Sequence, residues 1–184
     1  MAEEVARLDL RALGLAPGAA VRMRAAVPPI ELRIAGQDYL TDPAAPEVDI
    51  DVTRSHSGLH LRLRMEADLV GPCWRCVEDA RVPVRVDTSE YVDESRPDDA
   101  PFEEGLDSEY VDGPTLDLAL WARDSVAEVV PAVVLCREDC AGLCPTCGAN
   151  HNLETCDCAV EAVDPRWDAL RALSERLSGD PETN

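Results

Sequence analysis

Two stretches of strict alternation are the clearest pattern in the chain. Val48, Ile50 and Val52 alternate with Asp49 and Asp51, and Leu59, Leu61, Leu63 and Met65 alternate with His60, Arg62 and Arg64. A period of two places successive side chains on opposite faces, so both arms read as half-buried strands of one hairpin. A turn centred on residues 55–56 sets Asp51 opposite His60, Asp49 opposite Arg62 and Glu47 opposite Arg64. Opposite charges facing across a ladder contribute about 0.2–1 kcal/mol each. Gly71-Pro-Cys73-Trp-Arg-Cys76 interrupts the sheet, and Val82, Val84 and Val86 resume the alternation. Upstream, Leu8, Leu10, Leu13 and Leu15 precede a turn at Pro17-Gly18, and Val21 to Ile34 is strand-like around Pro28-Pro29.

The period lengthens after residue 115. Leu118, Trp121, Ala122, Ser125, Val126, Val129 and Val130 share one helical face, which predicts a helix over Thr115–Val130. Thr115 is the expected N-cap, Asp117 favours the helix dipole, and Pro131 ends the helix. Asp164-Pro165 opens a last predicted helix with an apolar stripe of Trp167, Leu170, Leu173 and Leu177, stopped by Gly179. Between sheet and first helix, residues 87–117 hold a dozen acids and one Arg, and Asp93 to Asp107 reads as a mobile acidic loop. The expected fold class is therefore α+β: an antiparallel, barrel-like sheet in the N-terminal half, one central helix, a zinc-bound cysteine-rich segment and a C-terminal helix. The expected division is an α+β domain over 1–135, and a cysteine-rich segment with the last helix packed on it over 136–184.

Charge narrows the partners. The 184 residues carry a formal net charge of −20. A surface that grips phosphates over its whole extent is basic, so this one excludes bulk nucleic-acid binding and favours a basic partner protein. The local exception is the stripe His60, Arg62 and Arg64, which reads either as the solvated face of a hairpin or as a small partner-contact site.

Chemistry concentrates in the cysteines. Six of the eight lie between Cys136 and Cys158, and the other two form the C-x2-C of Cys73 and Cys76. The N-terminus has neither a basic start nor an apolar run, so it does not read as a secretory signal. No apolar stretch approaches the roughly 18–20 residues that span a bilayer. The expected location is the cytoplasm, where thiols stay reduced and clustered cysteines are more often metal ligands than disulfides. Zn²⁺ accepts four thiolates tetrahedrally and has no redox chemistry of its own. Cys144-Pro-Thr-Cys147-Gly has the form of a zinc knuckle, which Cys156 and Cys158 can close. Cys73, Cys76, Cys136 and Cys140 make the right number for a second site, giving one or two zinc ions, although spacing alone leaves the pairing open. A disulfide framework, an iron–sulfur cluster, a thiol redox switch and ligation by His151 are the competing readings. The chain has no H-E-x-x-H, no G-x-S-x-G and only three His, so hydrolase chemistry is not expected.

The same path resembles the YceD family of bacterial and plastid proteins. The resemblance rests on Cys73-Trp-Arg-Cys76 after a run of strands, the acidic loop, Leu116-Asp117-Leu118 at the start of a helix, and Pro131 shortly before Cys136. It continues through Cys136-x3-Cys140-Ala-Gly-Leu-Cys144-Pro-x-Cys147-Gly, Cys156-x-Cys158 and Asp164-Pro-Arg-Trp167 with Leu170. That family is associated with accumulation and processing of large-subunit ribosomal RNA. The resemblance implies a non-enzymatic ribosome-biogenesis factor acting on large-subunit precursors, through a basic ribosomal protein, ribosomal RNA or both. It brings no catalytic residues, and neither a membrane nor a small-molecule substrate is expected. The rival from another class is a redox-switched chaperone or sensor built on zinc-bound thiols.

Overall fold

The structure is a computed structural model. It describes residues 4–95, 108–158, 167, 170, 173 and 174. The chain divides into two compact units, Met1–Gly142 and Leu143–Asn184. In the first, the strands are β1 (Arg7–Asp9), β2 (Ala20–Ala26), β3 (Glu31–Ile34), β4 (Gln37–Asp42), β5 (Glu47–Arg54), β6 (Gly58–Pro72), β7 (Asp79–Asp93), β8 (Val111–Asp112) and β9 (Thr115–Asp117). One helix, α1 (Leu118–Val129), follows.

The alternating arms form β5 and β6. Val48, Ile50, Val52, Leu61 and Leu63 are almost completely buried on the inner face, while the polar residues between them face out. The register differs from the expected one by two residues: Asp51 lies opposite Arg62, Asp49 opposite Arg64 and Thr53 opposite His60. The turn sets this. Ser55 N–H donates to the Gly58 carbonyl (2.8 Å) and Gly58 N–H to Ser55 Oγ (3.0 Å), which centres the loop on His56 and Ser57. Gly58 is also fixed from the other side, since a Cβ there would lie 1.9 Å from the Val92 carbonyl oxygen of β7. A shift of two keeps every side chain on its face, so the expected core survives the change.

The fifteen residues of β6 organise the sheet. One edge is shared by two strand pairs: β5, backed by β2, pairs with the first half, and β4, backed by β3, pairs at Asp68–Val70. The other edge pairs with β7 along its whole length. All these pairings are antiparallel, and the result is an open sheet where a barrel-like one was expected. Among the described residues, β7 pairs with neither β2 nor β3. The margin opposite β7 is split between a seven-residue and a four-residue strand, so no single strand matches the fifteen residues of β7 for closure.

β1, β9 and β8 form a second, small sheet. It displaces the expected helix start. Thr115 pairs with Asp9, and Asp117 is the N-cap, accepting from Leu120 N–H at 2.9 Å. Leu118, Trp121, Ala122, Ser125 and Val126 form the buried face of α1, which packs against β7, β1 and β3. The core of the first unit lies between this helix and the inner face of the sheet. Residues 96–107 of the expected acidic loop, and most of the expected C-terminal helix, lie outside the described residues. Of that helix's stripe, Trp167, Leu170 and Leu173 are described, and all three are exposed.

Candidate metal centres

The tip of the β6–β7 hairpin carries the first centre. Between Pro72 and Asp79 the chain makes a tight knuckle: Val77 N–H donates to the Cys73 carbonyl (2.9 Å) and Cys73 N–H to the Glu78 carbonyl (2.7 Å). This aims both thiols to one side. The 136–142 segment is held over them by Trp74 N–H on the Val134 carbonyl (2.8 Å) and by Arg75 Nη1 on the Cys140 carbonyl (2.8 Å). Gly142, at φ 78°, lets the chain pass close to Arg75; a Cβ there would sit 3.2 Å from the Arg75 carbonyl oxygen.

Four sulfurs converge as a result. Cys73, Cys76, Cys136 and Cys140 have Sγ atoms all within 4.8 Å of one another. Cys73 Sγ lies 3.7 Å from Cys140 Sγ, and Cys76 Sγ lies 3.6 Å from Cys136 Sγ. These separations far exceed a disulfide bond of about 2.05 Å. They match the edge of a tetrahedron, about 3.8 Å, built on a metal–sulfur bond of about 2.3 Å. Cys73, Cys76 and Cys140 are part of the hydrophobic core, and Cys136 is exposed.

The second unit repeats the construction. Gly148 N–H donates to the Cys144 carbonyl (2.9 Å) and Cys144 N–H to the Ala149 carbonyl (2.8 Å). Cys144, Cys147, Cys156 and Cys158 again lie within 4.8 Å of one another. Cys144 is buried, Cys147 is exposed, and the other two are intermediate. The two knuckles superimpose residue for residue in their bonding, with one difference. The position after the second cysteine needs a left-handed backbone; Gly148 supplies it at φ 77°, whereas the first knuckle places Val77 there at φ 63°. A β-branched residue in that region is strained.

The thiol electrostatics suit a cation. Burial raises Cys73, but N–H donors of Cys136, Cys76 and Arg75 outweigh it and bring the thiol down to about 6. Burial and the neighbouring sulfurs push Cys136 up to about 12. In the second set, backbone N–H groups of Cys147 and Thr146 lower Cys144 to about 6, while the Cys147 sulfur and then burial drive Cys158 up to about 12. One thiolate forms readily in each cluster, and its negative charge opposes the next. A cation bound at the centre removes that opposition. The donor chemistry and the geometry both fit a tetrathiolate metal site, and each group of four could hold one ion. Among the described residues these metal-capable groups contain cysteine only, so His151 belongs to neither.

His60, Arg62 and Arg64 lie elsewhere, on the outer sheet face. Arg62 makes a bidentate pair with Asp87 of β7 (2.7 Å at both nitrogens), and Arg64 Nη2 reaches Asp51 at 2.6 Å. Arg22 and Arg24 of β2 pair with Asp51 and Asp49. His60 packs on Tyr91, with ring centroids 4.6 Å apart. The alternation along β5 and β6 did not disclose Asp87, whose pairing with Arg62 depends on the β6–β7 register. The strain at Val77 has one signal in the sequence: aligned by offset, the two C-x2-C-x segments set Val77 against Gly148.

A family model described as large ribosomal RNA subunit accumulation protein YceD matches residues 61–174. The chain belongs to the YceD family. The matched segment includes all eight cysteines. The uncharacterized protein Rv2926c of Mycobacterium tuberculosis is 32% identical over 183 residues, covering 96% of this chain and 83% of that protein. The uncharacterized protein ML1660 of Mycobacterium leprae is 28% identical over 179 residues, covering 96% and 80% respectively. The chloroplastic large ribosomal RNA subunit accumulation protein YCED homolog 1 of Arabidopsis thaliana is 34% identical over 62 residues, which is 34% of this chain and 19% of that protein. No solved structure matches the chain. The family's description names the accumulation of a ribosomal RNA and no reaction. Among the described residues, no helix is long and apolar enough to cross a membrane.

Proposed function

We propose that this chain is a non-enzymatic, cytoplasmic ribosome-biogenesis factor that supports accumulation or processing of large-subunit ribosomal RNA, built around two structural zinc ions. The observation that carries the zinc clause is the convergence of two complete sets of four sulfurs. Four thiolates fill a tetrahedral ion and leave no position for a water, which is the pattern of structural rather than catalytic zinc. Zinc suits the set because it needs no redox partner and tolerates the all-sulfur donor shell. The ribosomal clause rests on membership of the family. The net charge of −20 favours a basic ribosomal protein as at least one of the partners. The His60, Arg62 and Arg64 stripe is a candidate contact; a phosphate approaching it must displace Asp87 and Asp51 from their arginines.

Depletion of the protein tests the ribosomal clause. The expected result is a fall in mature large-subunit RNA relative to small-subunit RNA, restored by the wild-type chain; an unchanged ratio removes the reading. Native mass spectrometry of protein purified under reducing conditions tests the metal clause, with two zinc ions per chain expected.

The accessibility of Cys147, Cys156 and Cys158 favours one alternative, a redox-switched chaperone or sensor. It requires that mild peroxide eject metal from the second centre reversibly and that the oxidised protein then hold unfolded clients. Oxidised protein without such holdase activity excludes it.

A further inference from the structure

The two knuckles share one backbone and present different surfaces. Cys144-Pro-Thr-Cys147-Gly148 carries small residues at its tip, whereas Cys73-Trp-Arg-Cys76-Val77 carries a tryptophan and a valine. Trp74 is 47% exposed and Val77 is 59% exposed. Trp74 N–H bonds to the Val134 carbonyl, and the exposed Val133 immediately precedes Val134 in the chain. Val77 is the telling residue. It holds a left-handed backbone that glycine occupies without strain in the twin, and its side chain is mostly in water, where it contributes little to the fold. Neither the knuckle nor the core of the first unit explains a strained, exposed valine next to an exposed tryptophan. Strain of this kind concentrates at sites of function.

We propose that Trp74, Val77 and Val133 form the docking surface for a basic polypeptide that seats an apolar anchor on the tryptophan. This rests on the proposed large-subunit function for the identity of the partner and on geometry for the site. Acidic residues outnumber basic ones in the segments that flank the apolar centre. Glu78 and Asp79 follow Val77 and are exposed, as are Glu138 and Asp139 in the segment that closes the same metal centre. The two arginines nearby are already engaged, Arg75 on the Cys140 carbonyl and Arg137 with Asp139 at 3.3 Å. An acidic rim around an exposed indole disfavours phosphate and favours Lys- and Arg-rich protein. Clamping of the knuckle by the metal centre and by the bonds to Val134 and Cys140 fixes the indole before the partner arrives, so little ordering is lost on binding. Tryptophan is among the residues that dominate interface energetics.

The test uses the full, metal-loaded chain with a benzophenone amino acid in place of Val133, which leaves Trp74 and Val77 intact. Irradiation in cells followed by mass spectrometry of the adducts is expected to yield a basic protein, with no such adduct from the same probe at the exposed Leu40 on β4. Trp74→Ala lowers the adduct yield at least about tenfold, as for a central interface tryptophan. Val77→Gly provides the second arm. It relieves strain, so the variant keeps its metal and melts higher, yet its adduct yield falls. Adducts only to RNA, to an acidic protein, to a second copy or to residues 143–184 of the same chain overturn the proposal. So does an unchanged yield in Trp74→Ala with metal content intact. A basic partner from outside the ribosome upholds the docking surface and removes the large-subunit reading, so the two failures are distinguishable.

Discussion

At the level of single residues, the backbone at position 77 is the sharpest departure from ordinary chemistry. Replacing Val77 by Gly is expected to raise stability by about 1 kcal/mol, the relief of left-handed strain exceeding the added entropy of the unfolded chain. A thermal melt of metal-loaded protein measures this, and a lower melting point contradicts the strain reading. The cysteines divide by burial. Cys73→Ser strikes a fully buried candidate ligand in the core, so under the proposed zinc reading metal loss from the first centre and a clear loss of sheet stability are expected together. Cys147→Ser strikes an exposed candidate ligand in the second unit, so under the same reading one metal is expected to leave with the sheet intact. Metal counting beside far-ultraviolet circular dichroism separates the two variants. The eight cysteines and their spacing were open to reading along the chain, whereas the left-handed turn at Val77 was not, because valine by itself signals an extended backbone.

At the level of elements, the outer face of β2, β5, β6 and β7 is a lattice of arginine–aspartate pairs. Hydrogen bonds from Arg24, Arg22 and Arg62 hold Asp49, Asp51 and Asp87 below the ordinary carboxylate value of 3.8. A lowered folded-state value means that the stability from these pairs is fully present above pH 3.8 and disappears as the pH falls through the still lower folded-state values. Asp51→Asn, which removes the partner of both Arg22 and Arg64, is therefore expected to destabilise the protein at neutral pH, with the gap to wild type closing below about pH 4. Denaturant melts at a series of pH values measure this; a gap that does not shrink as the pH falls below 3.8 counts against it. The helix makes a simpler case. Asp117→Ala removes the N-cap bond to Leu120 and is expected to cost about 1 kcal/mol. The strands were legible because period two survives in β5, β6 and β7. The helix start was not, because Leu116 pairs in the small sheet with Leu8, a contact across more than a hundred residues.

At the level of the whole molecule, the two units differ in what sustains them. The first has its own sheet, helix and core, and three cysteines of its candidate metal centre, Cys73, Cys76 and Cys140, are part of that core. Over residues 143–158 the second has turns, one β-bridge between Leu143 and Asn150, and its four cysteines. Free energies of zinc binding run to about 10–16 kcal/mol in small finger peptides, enough to decide whether such a segment is ordered at all. Chelation is accordingly expected to melt the second unit first and to leave the hairpins of the first folded. Hydrogen exchange, read segment by segment, checks this; simultaneous loss of protection in β5 and β6 contradicts it. Loss of all structure on chelation, seen by circular dichroism, contradicts it as well.

Sequence alone determined which residues could take part. Alternation marks the inner and outer faces of the long hairpins, because the side-chain period of a strand is local. The cysteine spacings mark two knuckles, because a C-x2-C turn is also local. The charge of −20 was equally open to reading, because charge sums without regard to fold. Tertiary structure alone decided how distant segments meet. It set the open sheet, because closure depends on the lengths of strands brought together from far apart. It divided eight cysteines into 73, 76, 136 and 140 on one centre and 144, 147, 156 and 158 on the other, because the Cys73–Glu78 turn and the 136–142 segment are brought together across some sixty residues by hydrogen bonds to Val134 and Cys140. It also placed Trp74 and Val77 in water, since only the packed chain shows which apolar side chains the core leaves out.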